Sequence, residues 1–422
     1  MKGLSDMKWK EVTLSDVSNY SKERINVNEL TLKNYVSTEN MLPEKAGKKI
    51  ATSLPGGSVI KYKCGQTLIS NIRPYFKKIW YANMGGGCSA DVLAFDISEE
   101  VDSKYFYYSL SQDIFFDYVM AGSKGTKMPR GDKQQIMMYS LLLPSILEQK
   151  AIADTLSCLD DKIELNNRIN KNLEEVAQAI FKSWFVDFEP FQDGEFEDSE
   201  LGRIPKGWRV GLLDECIDFY NGYSFKSKEL LDHEVQECYH VFKMGHIKKG
   251  GGLNQDGTKS WAEKSKCRGI LKYLLKIGDL LMCMTDMKGN VALLGYTALM
   301  NENDKYIVNQ RVGLLRVNNT FGINFPYLYI LTNSDTFIGN LRGRANSGVQ
   351  VNLSTSEIKA SKLIIAPIEV NTKFNEVVIP IFDKMFEIAM ETQTLKRIRN
   401  SLLPKLISGE IRIPLEEAIV ES

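Results

Sequence analysis

The chain has 422 residues, room for two or three domains with separate cores, and 43% hydrophobic with 25% charged residues is the balance of a globular protein. No run of about 18 apolar residues appears, which argues against a membrane-spanning helix, and the polar start Met1-Lys2-Gly3-Leu4-Ser5-Asp6 lacks the apolar stretch of a secretory signal. Fifty-three basic residues balance 53 acidic ones, but residues 146–200 hold 14 Asp and Glu against 5 Lys and Arg, so the rest of the chain is basic.

In chain order, Trp9 follows Lys8 and precedes an apolar and acidic stretch over 12–17. Basic residues cluster at Lys45, Lys48, Lys49, Lys61 and Lys63. Short alternating or apolar runs predict strands at 67–70, 79–82 and 92–96. Between the first two lies Asn71-Ile72-Arg73-Pro74-Tyr75-Phe76-Lys77-Lys78. An aromatic helical segment over 105–119 leads to the glycine-rich turn Gly122-Ser123-Lys124-Gly125-Thr126-Lys127-Met128, then to Arg130 and a strand over 140–143. A long helix follows. Ile152, Leu156, Leu159, Ile163, Asn166, Asn170, Leu173, Ala177, Ile180 and Trp184 alternate spacings of four and three, the seam of a coiled coil. A helix packed inside a globular bundle is the plainer alternative.

The same order then repeats. Gly207-Trp208-Arg209 matches Lys8-Trp9-Lys10, and Lys276-Ile277-Gly278-Asp279-Leu280-Leu281-Met282 matches Lys63-Cys64-Gly65-Gln66-Thr67-Leu68-Ile69. Tyr327, Tyr329 and Phe337 follow Tyr105, Tyr107 and Phe115 by 222 residues. The second seam, Phe374, Val378, Ile381, Met385, Ile388, Thr392, Leu395, Arg399, Leu402 and Leu406, follows the first by the same 222. The growing offset places extra loop in the second copy between residues 225 and 272. Asn166 and Asn170 fall in the seam near Ile388 and Thr392, where buried amides weaken packing but fix register. Pro380 should kink or restart the second helix.

Two variable regions alternating with two similar helices, the two glycine-rich turns (the second Asn346-Ser347-Gly348-Val349-Gln350), and the tail Leu402-Leu403-Pro404-Lys405-Leu406-Ile407-Ser408-Gly409-Glu410-Ile411 together resemble the DNA specificity subunit of type I restriction–modification systems. The resemblance implies an α+β chain, duplicated with pseudo-two-fold symmetry. Two target-recognition domains, 1–145 and 207–368, are separated by spacer helices, 146–188 and 369–412, that pair as an antiparallel coiled coil, with a linker over 189–206 and a tail over 413–422. It further implies double-stranded DNA as ligand, two modification (methyltransferase) subunits and restriction (motor-nuclease) subunits as partners, and no catalysis by this chain. S-adenosylmethionine, ATP and Mg would then belong to partner subunits, and the seven cysteines without paired spacing fit reduced thiols in a cytoplasmic protein.

Candidate DNA contacts follow from residue chemistry. Asn71, Arg73 and Tyr75, with Lys77 and Lys78, combine base-reading groups with phosphate-binding ammoniums in one loop, although a polar hairpin would look the same. Lys124, Lys127 and Arg130, with Arg342, Arg344 and Gln350, flank the glycine-rich turns, where glycine permits backbone to approach phosphate or simply ends a helix. In the second half Asp286, Lys288 and Asn290 take the place of the Asn71 loop, and His246 and Lys248 lie among lysines. Asp279 and Asp286 loosely mimic a nuclease, but their first-half counterparts cannot hold Mg. His233, Cys238, His240, His246 and Cys267 lack zinc-site spacing, so no metal is expected. No methyltransferase tetrad or phosphate loop appears. The competing functions are a fused methyltransferase–nuclease restriction system and a coiled-coil adaptor that does not act on DNA.

Overall fold

The structure is a computed structural model that describes residues 9–255, 257–287, 291–347 and 350–414, with backbone alone at 346, 347 and 350. The chain divides into two units, Met1–Asn167 with Glu391–Ser422, and Arg168–Met390.

In the first unit an antiparallel sheet is ordered Ser18–Tyr20, Val92–Ile97, Thr67–Ser70, Ile79–Tyr81. In the second the order is Ile217–Asn221, Val312–Val317, Leu280–Cys283, Thr297–Leu299, each strand the counterpart of the one above. Each unit adds a second sheet holding one parallel pair, Tyr35–Val36 with Gly86–Cys88 and Cys238–Phe242 with Tyr306–Val308. Each also closes its domain with an antiparallel pair: Lys10–Thr13 on Ser140–Leu143, and Arg209–Leu212 on Lys362–Ile365. The offset between copies is 199 at Ser18 and Ile217, 213 at Lys63 and Lys276, and 222 at Tyr105 and Tyr327. The added length is therefore not confined to 225–272; part of it lies after Lys276.

The aromatic segments are each two helices rather than one: Ser103–Leu110 and Asp113–Ala121, then Phe325–Thr332 and Asp335–Gly343. Small polar residues at the breaks explain the division. The Ser111 N–H closes the first helix on the Tyr107 carbonyl, and the Ser334 hydroxyl accepts from the Phe337 N–H to start the next. In each unit the first of these helices is locked to the closing strand by a tyrosine hydroxyl: Tyr105 donates to the Leu142 carbonyl (2.7 Å) and Tyr327 to the Ile364 carbonyl (2.6 Å).

The long helices are Ile146–Phe185 and Ile368–Ile407. A buried amide fixes each start to its domain. Gln149 donates to the Glu100 and Pro144 carbonyls (both 3.0 Å), and Asn371, 222 residues later, to those of Phe321 (2.9 Å) and Ala366 (3.1 Å). No residue of either seam is exposed. Within the first unit Ile152 and Leu156 pack with Leu403 and Leu406, Asp160 pairs with Arg399 (2.6 Å), and Asn166 donates to Glu391 (2.8 Å). Within the second, Asn170 donates to the Met385 carbonyl (3.2 Å), and Phe181 and Phe185 meet Phe374. Rising numbers on one helix meet falling numbers on the other in both units, so the pairing is antiparallel. Leu159, Ile163, Leu173, Ile180, Val378, Ile381, Met385, Ile388, Leu395 and Leu402 are all buried or half-buried. Pro380 does not restart the second helix. It removes one N–H from the ladder, and the packed neighbours Val378, Ile381 and Phe382 hold the turn around it.

The tail motif ends that helix. Gly409 takes φ +73°, the left-handed turn that glycine tolerates. A Cβ there would press on the Trp9 ring at 3.1 Å. Arg412 lies over that ring (4.3 Å) and pairs with Glu148 (2.8 Å). Trp208 plays the corresponding part in the second unit, against Phe185, Phe188 and Phe191.

Candidate nucleic-acid interface

In the first unit three basic clusters remote in sequence come together. The Glu44 N–H donates to the Phe76 carbonyl and the Lys45 N–H to that of Lys77, joining the segment with Lys48 and Lys49 to the Asn71 loop. On the other side the Arg73 N–H donates to the Pro129 carbonyl, and Ile72 bridges Arg130, which bridges Lys124. The loop itself is held at two corners, Arg73 and Lys77, both at φ +50°. Left-handed backbone at non-glycine residues costs energy and is retained where surroundings impose it.

The cations here are crowded. Lys45 (2.5 Å) and Lys77 (3.0 Å) share Asp113. Burial would raise that carboxyl, but the two ammoniums outweigh it and hold it below its usual value. Burial, with Lys49 and Arg73 nearby, pushes the Lys78 ammonium down. Lys124 pairs with Asp132 (2.7 Å), Arg130 with Asp91 (3.4 Å), and Lys127 is exposed. Exposed pairs of this kind are worth only about 0–1 kcal/mol, so phosphates can replace the acids at small cost. Tyr75 is exposed and leans on Phe76 (4.6 Å), a surface for stacking or apolar contact. Asn71 is not a free base reader. It is buried, and among the described residues neither its Oδ1 nor Arg73 Nε has a hydrogen-bond partner.

The second unit builds the same backbone frame from different side chains. Thr285 pairs with Asn352, which pairs with Asn346, where the first unit has Ile72, Arg130 and Lys124. Several candidate contacts in this half are engaged inside the unit. Asp286 accepts from the Leu293 (2.6 Å) and Leu294 (3.3 Å) N–H groups and shapes its own loop. Arg342 donates to the Leu294 carbonyl (2.9 Å) and lies over Tyr296 (5.0 Å). Arg344 donates to the Ala360 carbonyl and the Ser361 hydroxyl. His246 is 0% exposed, stacked on Phe242, and reaches no solvent; the expectation that it touches DNA is corrected. Lys248 is exposed. Lys288 and Asn290 lie outside the described residues, as does the side chain of Gln350.

The nuclease resemblance dissolves in the same way, since Asp279 is bonded to Arg316 and Asp286 to the backbone N–H groups of Leu293 and Leu294. His240 and His246 belong to an aromatic stack, with His240 on Trp261 (5.1 Å, 13°) and Tyr306 (4.9 Å, 27°), while His233 is exposed and pairs with Asp232 (2.7 Å). Among the described residues no three His, Cys, Asp or Glu converge as metal ligands, and no helix is long and apolar enough to cross a membrane. Residue type alone did not reveal the joining of Lys45, Lys48 and Lys49 to the loop, because only non-local backbone bonds make it.

The family model for the type I restriction modification DNA specificity domain matches residues 7–175 and 205–400. The MjaIX specificity subunit of a type I restriction enzyme from Methanocaldococcus jannaschii is 28% identical, across 74% of this chain and 70% of that protein. The HindI specificity subunit from Haemophilus influenzae is 26% identical, across 96% and 99%. The crystal structure of a type I restriction-modification S subunit from M. genitalium shares the fold with a TM-score of 0.55 at 17% identity, covering 96% of this chain and 98% of that one. With the domain matched twice over most of its length, the chain belongs to the type I restriction modification DNA specificity family.

Proposed function

We propose that this chain is the sequence-reading subunit of a type I restriction–modification complex, that each unit reads one half of a two-part DNA site, and that the chain itself makes and breaks no bonds. The observation that carries this is one backbone frame built twice with different side chains. Ile72, Arg130 and Lys124 in one unit correspond to Thr285, Asn352 and Asn346 in the other. A shared frame fixes how duplex is approached, and unequal side chains read unequal bases. Adenine methylation would be performed by two modification subunits, with S-adenosylmethionine bound there, and cleavage by restriction subunits using ATP and Mg. Exposed apolar residues repeated at 222-residue intervals, Ile146 with Ile368 and Val176 with Ile398, support two like docking faces. They would serve an adaptor without DNA equally well, but the crowded cations of the first unit favour DNA.

The test is exchange of residues 1–140 for those of a relative, in a complex co-expressed with its modification subunit, followed by mapping of methylated adenines. One half-site should change and the other persist. Change in both, or in neither, would sink the modular reading. Native mass spectrometry should show two modification subunits for each copy of this chain.

A further inference from the structure

We propose that Arg311 reads a guanine in the half-site taken by the second unit; this rests on the reading of that unit as a DNA-recognition module. In the first unit the Asn71 N–H donates to the Asp91 carbonyl (2.8 Å), and the Gly131 N–H to the Asn71 carbonyl (3.1 Å). In the second the Met284 N–H donates to the Arg311 carbonyl (3.0 Å), and the Leu353 N–H to that of Met284 (2.9 Å). Arg311 thus holds the place of Asp91, bonded to Met284, which Leu353 joins in turn.

The chemistry at this place is inverted between the units. Asp91 faces Arg130. The second unit has Asn352 in the place of Arg130, and its side-chain oxygen accepts from the Thr285 hydroxyl. The cation therefore moves from the place of Arg130 to the place of Asp91. Arg311 is exposed, and among the described residues its guanidinium has no hydrogen-bond or ion-pair partner.

Its backbone, by contrast, is fixed. Arg311 lies at φ +71°, strained for a residue with a Cβ. The Asn309 N–H donates to the Phe242 carbonyl (3.0 Å) and the Gln310 N–H to that of Tyr223 (2.8 Å). Gly222 approaches so closely that a Cβ there would lie 2.0 Å from the Asn309 carbonyl oxygen. A clamped backbone presenting a free planar fork suits the two acceptors, O6 and N7, on the major-groove edge of guanine.

The test uses the full chain co-expressed with its modification subunit, as wild type, Arg311→Ala and Arg311→Lys, with methylated adenines mapped genome-wide. The second half-site is the one that persists when residues 1–140 are exchanged. Arg311→Ala should lower the preference for guanine at one position of that half-site on the order of tenfold or more, leaving the first half-site unchanged. Arg311→Lys should not restore it, because an ammonium cannot make the paired contact. If both variants abolish methylation, competition binding by the purified complex on duplexes randomised in the second half-site reads the preference directly. Unchanged preference at every position, a second half-site without guanine, or a uniform loss across all sequences that lysine restores would each overturn the proposal. A wild-type complex that methylates no two-part site would instead remove the proposed function on which it stands.

Discussion

The Asp279 carboxylate takes both Nε (2.8 Å) and Nη2 (2.7 Å) of Arg316, and its side chain is only 4% exposed. At the equivalent places the first unit has Gln66 and Asp96, the amide donating to the carboxylate. The turn that presents each is the same: the Lys276 N–H donates to Asp279 (2.8 Å) and the Lys63 N–H to Gln66 (2.6 Å). The duplication preserved the bond pattern and reversed its polarity. Arg316→Leu strands a buried carboxylate and should cost roughly 2–4 kcal/mol, toward the lower side of what breaking a buried pair costs because Arg316 keeps partial solvent access. Urea unfolding of the chain should show it, and the change to Arg316→Lys should recover part of the loss.

The tyrosine locks make a matched pair. Tyr105→Phe and Tyr327→Phe each remove a hydroxyl from a strand carbonyl without altering packed volume. Each should cost about 1–2 kcal/mol. Hydrogen exchange should localise the first loss to 140–143 and the second to 362–365; a loss spread over both units would contradict the lock.

His246 gives a pH dependence. Its burial, and His240 beside it (4.8 Å), hold its pKa down to about 4, against 6.5 for the free group. The unfolded chain therefore binds more protons between these values. Stability from this residue is complete above about pH 6.5 and falls as pH drops toward 4, by about 3 kcal/mol in all. Lys243 acts on both rings, and Glu234 and Lys305 act on His240, so the residue's own share is read by difference. Unfolding at pH 5 and pH 7 should show a smaller pH dependence in His246→Phe, by up to one proton. An identical dependence in both proteins would refute it.

The seam predicts the effect of length. Four residues inserted between Asn170 and Leu173 add about 6 Å of helix, or about two base pairs. The half-site bases should stay the same while their separation grows by one or two pairs. A variant that still methylates with unchanged separation would remove the spacer role.

The seams are legible in the sequence because a heptad pattern echoed 222 residues later rarely arises except from a duplicated helix, and because burial in antiparallel helices demands that pattern. The strands at 67–70 and 140–143 are legible for a similar reason: short apolar runs bounded by turn residues. The site is legible only in part. Chemistry singles out the Asn71 loop and the Lys124 turn, yet their contact depends on bonds such as that from Arg73 to Pro129. Arg342 and Arg344 show why residue type misleads, since a guanidinium serves a neighbouring carbonyl as readily as a base edge. Pro380 shows the converse: tertiary packing overrode a local rule.

The first unit draws on both early and late stretches of the chain, with Ile152 and Leu156 covered by Leu403 and Leu406. The second is made from the continuous stretch 168–390. During synthesis the ribosome therefore releases everything the second unit needs before Leu403 and Leu406 can cover Ile152 and Leu156. Domains ordinarily fold in the order in which they are translated; here the core drawn from Val12 to Leu143 is complete early, while the patch at Ile152 and Leu156 waits for Leu403 and Leu406. In the interval the nascent chain carries an uncovered apolar strip on residues 152–156, which makes the arrival of Leu403, Leu406 and Ile407 the step that completes the first unit.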